Sequence, residues 1–203
     1  KKLDTKKDYR ELDVEKEDLD LFNFRIAQSY YADDEVVSND TNTDFEKRRF
    51  YSDVVAGIDL AVNQFAFNSA LQFDPEINQV TNRTNTISYK LNPKKFVSLT
   101  LGKDDSTSTV KLYGAYPLTD SIHLFGGLEK TISTGITNSE TTGIAYESCC
   151  WAFRLAHFKD DNGLGGHNYS TGAELILTGL GSTSSPLKDK VENKIPGYSA
   201  KLR

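Results

Sequence analysis

From Leu21 onward, apolar and polar residues alternate with a period of two, in runs of strand-favouring residues separated by clusters of Asn, Asp, Gly and Pro. The clearest run is Phe50–Val62, where Phe50, Val54, Ala56, Ile58, Leu60 and Val62 fall on one face and Tyr51, Asp53, Gly57 and Asp59 on the other. The pattern repeats at once. Phe65, Phe67, Leu71 and Phe73 alternate with Asn68, Ala70, Gln72 and Asp74, and Asn63-Gln64 between the two runs leaves room only for a tight turn. Further strands are predicted at Leu21–Tyr31, Arg83–Leu91, Phe96–Lys103, Ser108–Tyr116, Ile122–Ile132, Thr141–Glu147, Trp151–Lys159 and Ser170–Leu180. Charges stand in the middle of the polar faces, as Asp59, Lys90, Lys111, Arg154 and Glu174 do. Alternation alone fits either a soluble sandwich with one wet face per sheet or a barrel with a polar lumen.

The connections separate those readings, because long and short ones take turns. Asp33–Arg49 is long and Asn63-Gln64 short; Pro75–Asn82 is long and Asn92-Pro93-Lys94 short; Asp104–Thr107 is moderate, Pro117–Asp120 and Ser148–Cys150 are tight, and Ser133–Glu140 and Asp160–Tyr169 are longer. Strands running up and down would gather all tight turns at one end and all longer loops at the other, as in outer-membrane barrels with short periplasmic turns and longer extracellular loops. A Greek-key sandwich does not sort its loops by parity. The expected fold is therefore all-β, an antiparallel up-and-down transmembrane β-barrel segment of about ten strands, with Asp59, Lys90, Lys111 and Arg154 facing the lumen. Solvation in the lumen suffices to explain these charges, although a plug or lipid headgroups could also meet them.

Composition narrows the picture further. The 203 residues carry 24 Lys and Arg against 29 Asp and Glu, which lacks the basic excess that nucleic acid demands. No window offers the roughly 18 apolar residues of a spanning helix, and the mean hydropathy of -0.50 does not argue against barrel strands, whose faces alternate. The opening stretch, residues 1–20, is dominated by Lys, Asp and Glu and reads as a charged connector. The chain has no Met and no secretory segment at its front, so it looks processed or excised. Residues 21–182 read as the barrel strands. Residues 183–203, with Pro196-Gly197, read as a polar, periplasmic C-terminal tail too irregular to be another strand.

Chemistry-bearing residues are few. Cys149 and Cys150 are the only cysteines; Cα atoms about 3.8 Å apart are too close for an unstrained bridge between them. Either their partners lie outside this chain, or they are two small, inert, partly buried hydrophobes. His123, His157 and His167 lack metal-ligand spacing, and Asp33-Asp34, Asp104-Asp105 and Asp160-Asp161 read as solvated loop carboxylates. No nucleophile elbow, Walker loop or dinucleotide fingerprint occurs, so neither catalysis nor a cofactor is expected.

The run Tyr146-Glu147-Ser148-Cys149-Cys150-Trp151-Ala152-Phe153-Arg154-Leu155, the following strand Glu174–Gly181 and the ending Ile195-Pro196-Gly197-Tyr198 resemble the C-terminal barrel portion of the LptD family; Leu71–Pro75 and Asn92-Pro93 add weaker likeness. The resemblance implies an outer-membrane translocon that delivers lipopolysaccharide to the outer leaflet. It would contain an LptE-like plug lipoprotein and join the periplasmic Lpt bridge through an N-terminal domain absent from this chain. It also implies that Cys149 and Cys150 form disulfides with that domain; by the loop alternation their turn falls on the periplasmic side. A lateral gate between the first and last strands would take one lip from Tyr169, Gly172, Glu174, Leu175, Leu177 and Gly179, where glycines weaken the strand or accommodate curvature. The competing classes are a general porin-type barrel and a soluble secreted β-sandwich that binds a partner.

Overall fold

Ten strands hydrogen-bond side by side in one antiparallel sheet, each joined to its sequence neighbour except where a hairpin interrupts the first pair. The computed structural model describes residues 21–36, 48–177 and 185–199. In chain order the strands are β1 (Leu21–Ala27), β2 (Tyr30–Val36), β3 (Arg48–Tyr51), β4 (Val54–Val62), β5 (Phe65–Asp74), β6 (Gln79–Asn92), β7 (Lys95–Asp104), β8 (Ser108–Pro117), β9 (Ile122–Thr131), β10 (Thr137–Glu147), β11 (Trp151–Asp161) and β12 (His167–Leu177); one helix, α1 (Pro186–Lys194), follows. The sheet runs β1-β4-β5-β6-β7-β8-β9-β10-β11-β12, while β2 and β3 form a separate two-stranded ribbon. The two outer strands do not pair with each other, so the sheet is open. The up-and-down antiparallel order agrees with the sequence reading.

The boundaries differ in instructive places. The alternation that predicts one strand over Leu21–Tyr31 breaks after Ala27, because Ser29 and Ser52 bind each other: the Ser29 amide donates to the Ser52 hydroxyl at 2.8 Å and the Ser52 amide to the Ser29 carbonyl at 2.8 Å. Part of the loop expected over Asp33–Arg49 is therefore hairpin, and the strand expected from Phe50 begins at Val54. Strand β6 starts four residues before Arg83 and carries a register shift opposite Gln72/Phe73. Strand β10 likewise starts at Thr137, shortening the expected Ser133–Glu140 loop. The tight connection after β4 turns on Asn63, whose φ of 52° suits an asparagine. The charged stretch 1–20 and Gly179 lie outside the described residues.

The largest departure is the segment read as a polar tail. Residues 186–194 form α1, opened by Pro186 in its first turn, where a missing amide costs no hydrogen bond. Leu187, Val191 and Ile195 recur at spacings of four and so share a face. Val191 and Ile195 are fully buried, and with Tyr198 they pack against Phe96, Tyr113, Phe125 and Phe158.

Candidate functional site

Pairing register fixes which side chains share a face, because alternate residues of each strand point the same way. Asp59 lies opposite Asn68, Lys90 opposite Phe96, Lys111 opposite Glu129, and Arg154 opposite Glu174 and Ala145. Tracing the register strand by strand puts Asp59, Lys90, Lys111 and Arg154 on one face, together with Thr86, Thr100, Tyr113, His123 and Glu147. That polar face is also the one α1 covers.

The four residues meet different surroundings. Asp59 accepts from Arg25 at 2.5 Å and from Asn68 at 2.8 Å. Lys111 lies 3.5 Å from Glu129, which also accepts from Tyr113. The Lys90 side chain is exposed. Arg154 departs from the expectation of generic solvation: it is fully buried, 3.2 Å from Glu174 and 3.6 Å from Glu147. Those carboxylates are themselves held. Ser185 donates to Glu174 at 2.8 Å, Lys94 bonds to Glu147, and the His123 ring lies 3.9 Å from Glu147 and 2.6 Å from the Tyr198 hydroxyl. A buried charge in so little water is tolerable only when paired in this way.

The tail closes over this network. Lys190 stands 4.0 Å above the Phe158 ring and donates to Ser170, and Lys194 reaches Asp160 at 2.5 Å. Two glycines of the polar face act as sockets. A Cβ on Gly172 would lie 2.8 Å from Leu187, and one on Gly127 would lie 2.9 Å from Tyr113 and 3.4 Å from Ile195. Sequence reasoning missed this cover. Its signal was Pro186 followed by Leu187, Val191 and Ile195 at helical spacing, masked by the charges between them.

Cys149 and Cys150 occupy the β10–β11 turn, which the Ser148 amide closes by donating to the Trp151 carbonyl at 2.9 Å. Both thiols are free and exposed, contrary to the partly buried alternative. Hydrogen bonds from Cys150 and Ser148 hold the Cys149 thiol below the ordinary thiol range, and the same interaction pushes Cys150 up. Two residues away, Glu147 fastens the turn to the buried network. Among the described residues no three His, Cys, Asp or Glu side chains gather as a metal site. Of the strand named as a gate lip, Gly172 and Glu174 lie on the polar face and Tyr169, Leu175 and Leu177 on the other, with β12 at the edge of the sheet.

The opposite face is apolar and exposed. Phe24 (55%), Leu60 (39%), Ile87 (55%) and Leu175 (61%) are among many large hydrophobics facing outward, and no second layer of the described residues covers them. Its apolar band crosses the register obliquely. One cross-strand row runs Leu60, Phe67, Ile87, Leu99, Leu112, Leu128, then Glu140, Lys159 and Tyr169. In β11 and β12 the apolar residues lie nearer the tight turns, at Trp151, Phe153, Leu155, Leu175 and Leu177.

These features define a class: an all-β meander that exposes an apolar face, buries charge on the opposite one, and presents adjacent thiols on a tight turn. The family profile for LptD, LPS transport system D, matches residues 7–126, and the chain belongs to the LptD family. It is similar to the LPS-assembly protein LptD of Burkholderia thailandensis, 25% identical over 191 residues that cover 87% of this chain and 24% of that protein. The like-named protein of Pseudoalteromonas translucida is 23% identical over 207 residues (91% and 27%), and that of Shewanella oneidensis 25% over 190 residues (81% and 24%). The chain thus spans about a quarter of the length of these relatives.

Proposed function

We propose that this chain is the C-terminal barrel portion of an outer-membrane translocon that inserts lipopolysaccharide into the outer leaflet. The polar face lines the lumen and meets the lipopolysaccharide and an LptE-like plug, β12 forms one lip of a seam, and Cys149 and Cys150 couple the barrel covalently to a periplasmic domain of the Lpt bridge. Outer-membrane lipid lies against the apolar face.

The observation that carries the reading is the slope of the apolar band. Between β4, where it centres on Ile58, and β11, where it centres on Phe153, the band drifts by about eight residues, or about 27 Å, across about 34 Å of sheet. If that band lies level in a bilayer, the strands are inclined by about 38°, within the range of about 35–45° found in outer-membrane barrels. A soluble sheet has no reason to shift its apolar patch in step with strand number. The tight turns all fall at the end that bears the thiols, the periplasmic end in such barrels.

The test is non-reducing electrophoresis of the full-length gene product with Cys149→Ser, Cys150→Ser and the double substitution. The reading expects each single variant to lose one disulfide-linked form and the double variant to lose both. An unchanged pattern in all three removes the covalent coupling.

A further inference from the structure

On the apolar face, the end of the sheet that carries the longer loops is edged by cations. Arg83 lies directly opposite Lys103 on β6 and β7. Lys103 pairs with Ser108, whereas Lys130 pairs with Val110, so Lys130 stands two strands farther on and two residues nearer the tight turns. Lys159 repeats the step: it pairs with Glu140, itself opposite Leu128, two strands and two residues beyond Lys130. Lys103, Lys130 and Lys159 therefore descend one residue per strand, the same slope as the apolar band. The three lysines thus run parallel to its edge, with Arg83 level with Lys103, and all four cations lie about four to six residues from its centre in their strands, or about 14–20 Å along them.

Among the described residues only one of the four has a carboxylate partner, Lys159 at 3.8 Å from Glu140. Arg83, Lys103 and Lys130 make no ion pair among the described residues. The nearby Asp104 is engaged within its own turn, accepting from Ser106 and Thr107. Opposed cations on adjacent strands repel each other, so placing Arg83 beside Lys103 on an apolar face is unfavourable unless an anion bridges them. At the boundary of a hydrocarbon layer the available anion is a lipid headgroup, and long basic side chains reach it by extending from the apolar surface.

We infer that Arg83, Lys103 and Lys130 form a binding surface for the phosphates of a phosphorylated glycolipid in the leaflet on the long-loop side, outside the lumen. The inference rests on the membrane reading above and adds to it a site where lipid is held after leaving the barrel. Arg83 suits a forked contact to phosphate oxygens, and the two lysines serve as point charges.

The test uses the full-length gene product in detergent and native mass spectrometry with phosphorylated lipid A, its dephosphorylated counterpart, and inorganic phosphate as competitor. Wild-type protein should prefer the phosphorylated lipid, and the triple variant Arg83→Gln/Lys103→Gln/Lys130→Gln should lose about tenfold or more in affinity for it together with that preference. Lys103→Arg/Lys130→Arg should keep both. Retention of the preference by the triple variant, or no preference in wild type, overturns the site; efficient displacement by inorganic phosphate overturns the lipid as its ligand. Heat-modifiable migration checks that each variant is folded. Detergent-phase partitioning separates the two readings, since wild-type protein that stays in the aqueous phase overturns the membrane reading itself.

Discussion

Replacing Arg154 by leucine tests the buried network most directly. The guanidinium is fully buried between Glu147 and Glu174, whose side chains are 9% and 13% exposed. Leucine supplies apolar volume but no charge, so both carboxylates lose a partner. They do not lose equally. Glu147 keeps its bond to Lys94, whereas Glu174 is left with the Ser185 hydroxyl alone. Breaking a buried pair from one side costs about 3–5 kcal/mol, mostly through the stranded charge. That is about a hundredfold to several thousandfold in the folding equilibrium. The half-exposed Arg25–Asp59 pair on the same face sets the contrast, since Arg25→Leu should cost about 0–1 kcal/mol.

Urea unfolding in detergent micelles, followed by tryptophan fluorescence and by the heat-modifiable gel band, measures both. The asymmetry makes the test sharper. Adding Glu174→Gln to Arg154→Leu should restore more stability than adding Glu147→Gln, because Glu174 is the carboxylate left unpaired. If Arg154→Leu costs under about 1 kcal/mol, or if the two rescues are equal, water reaches the network and the ion pairs do not hold the tail as described.

Four further expectations follow from the same geometry. Cys149 should alkylate at lower pH than Cys150, because its thiolate is the one stabilised by hydrogen bonds; iodoacetamide labelling of reduced protein across pH 6–9, read by peptide mass spectrometry, checks the order. Gly143→Ala should destabilise by about 1–3 kcal/mol, since a Cβ there would lie 2.3 Å from the Phe125 ring and 2.6 Å from the Leu155 carbonyl oxygen, and urea unfolding measures it. Ile195→Ala should cost about 2–5 kcal/mol by emptying the space under the tail, against less than about 0.5 kcal/mol for Lys188→Ala, in the same assay. On the membrane reading proposed above, Ile58→Arg should cost about 2–4 kcal/mol while Asn68→Arg on the polar face costs little, which folding into vesicles of defined thickness measures.

Most of the sheet was legible because its signal is local: Phe65, Phe67, Leu71 and Phe73 report their face without reference to any other strand. The order of strands was legible too, since connections as short as Asn63-Gln64 allow only antiparallel neighbours. What escaped depended on distant partners. The break after Ala27 is set by Ser52, 23 residues beyond Ser29, and nothing near Gln28 announces it. Arg154 falls on the polar face that its alternation indicates, but its burial depends on Ser185 and the tail, which lie 31 residues and more along the chain. The tail itself was hidden by composition. Between Pro186 and Lys194 only Leu187 and Val191 are apolar, too few to stand out in a search for strands yet correctly spaced for one face of a helix.

Gly172 shows how a residue's meaning changes once the tail is placed. In the sequence it suggests a weakened strand or a bend; in the structure it is the gap that admits Leu187, so β12 is gripped from the polar face by the chain that follows it. Ser185 on Glu174 and Lys190 on Ser170 grip it at two further points. The same contacts run on to the thiols, because Ser185 and Glu174 position Arg154, Arg154 meets Glu147, and Glu147 ends the strand that leads into Cys149 and Cys150. A turn fastened in this way presents its exposed thiols from a fixed base. Under the coupling proposed above, little conformational entropy then remains to be lost in the turn when a thiol bonds to the periplasmic domain, and a reaction between groups already oriented is favoured over one between freely moving ones.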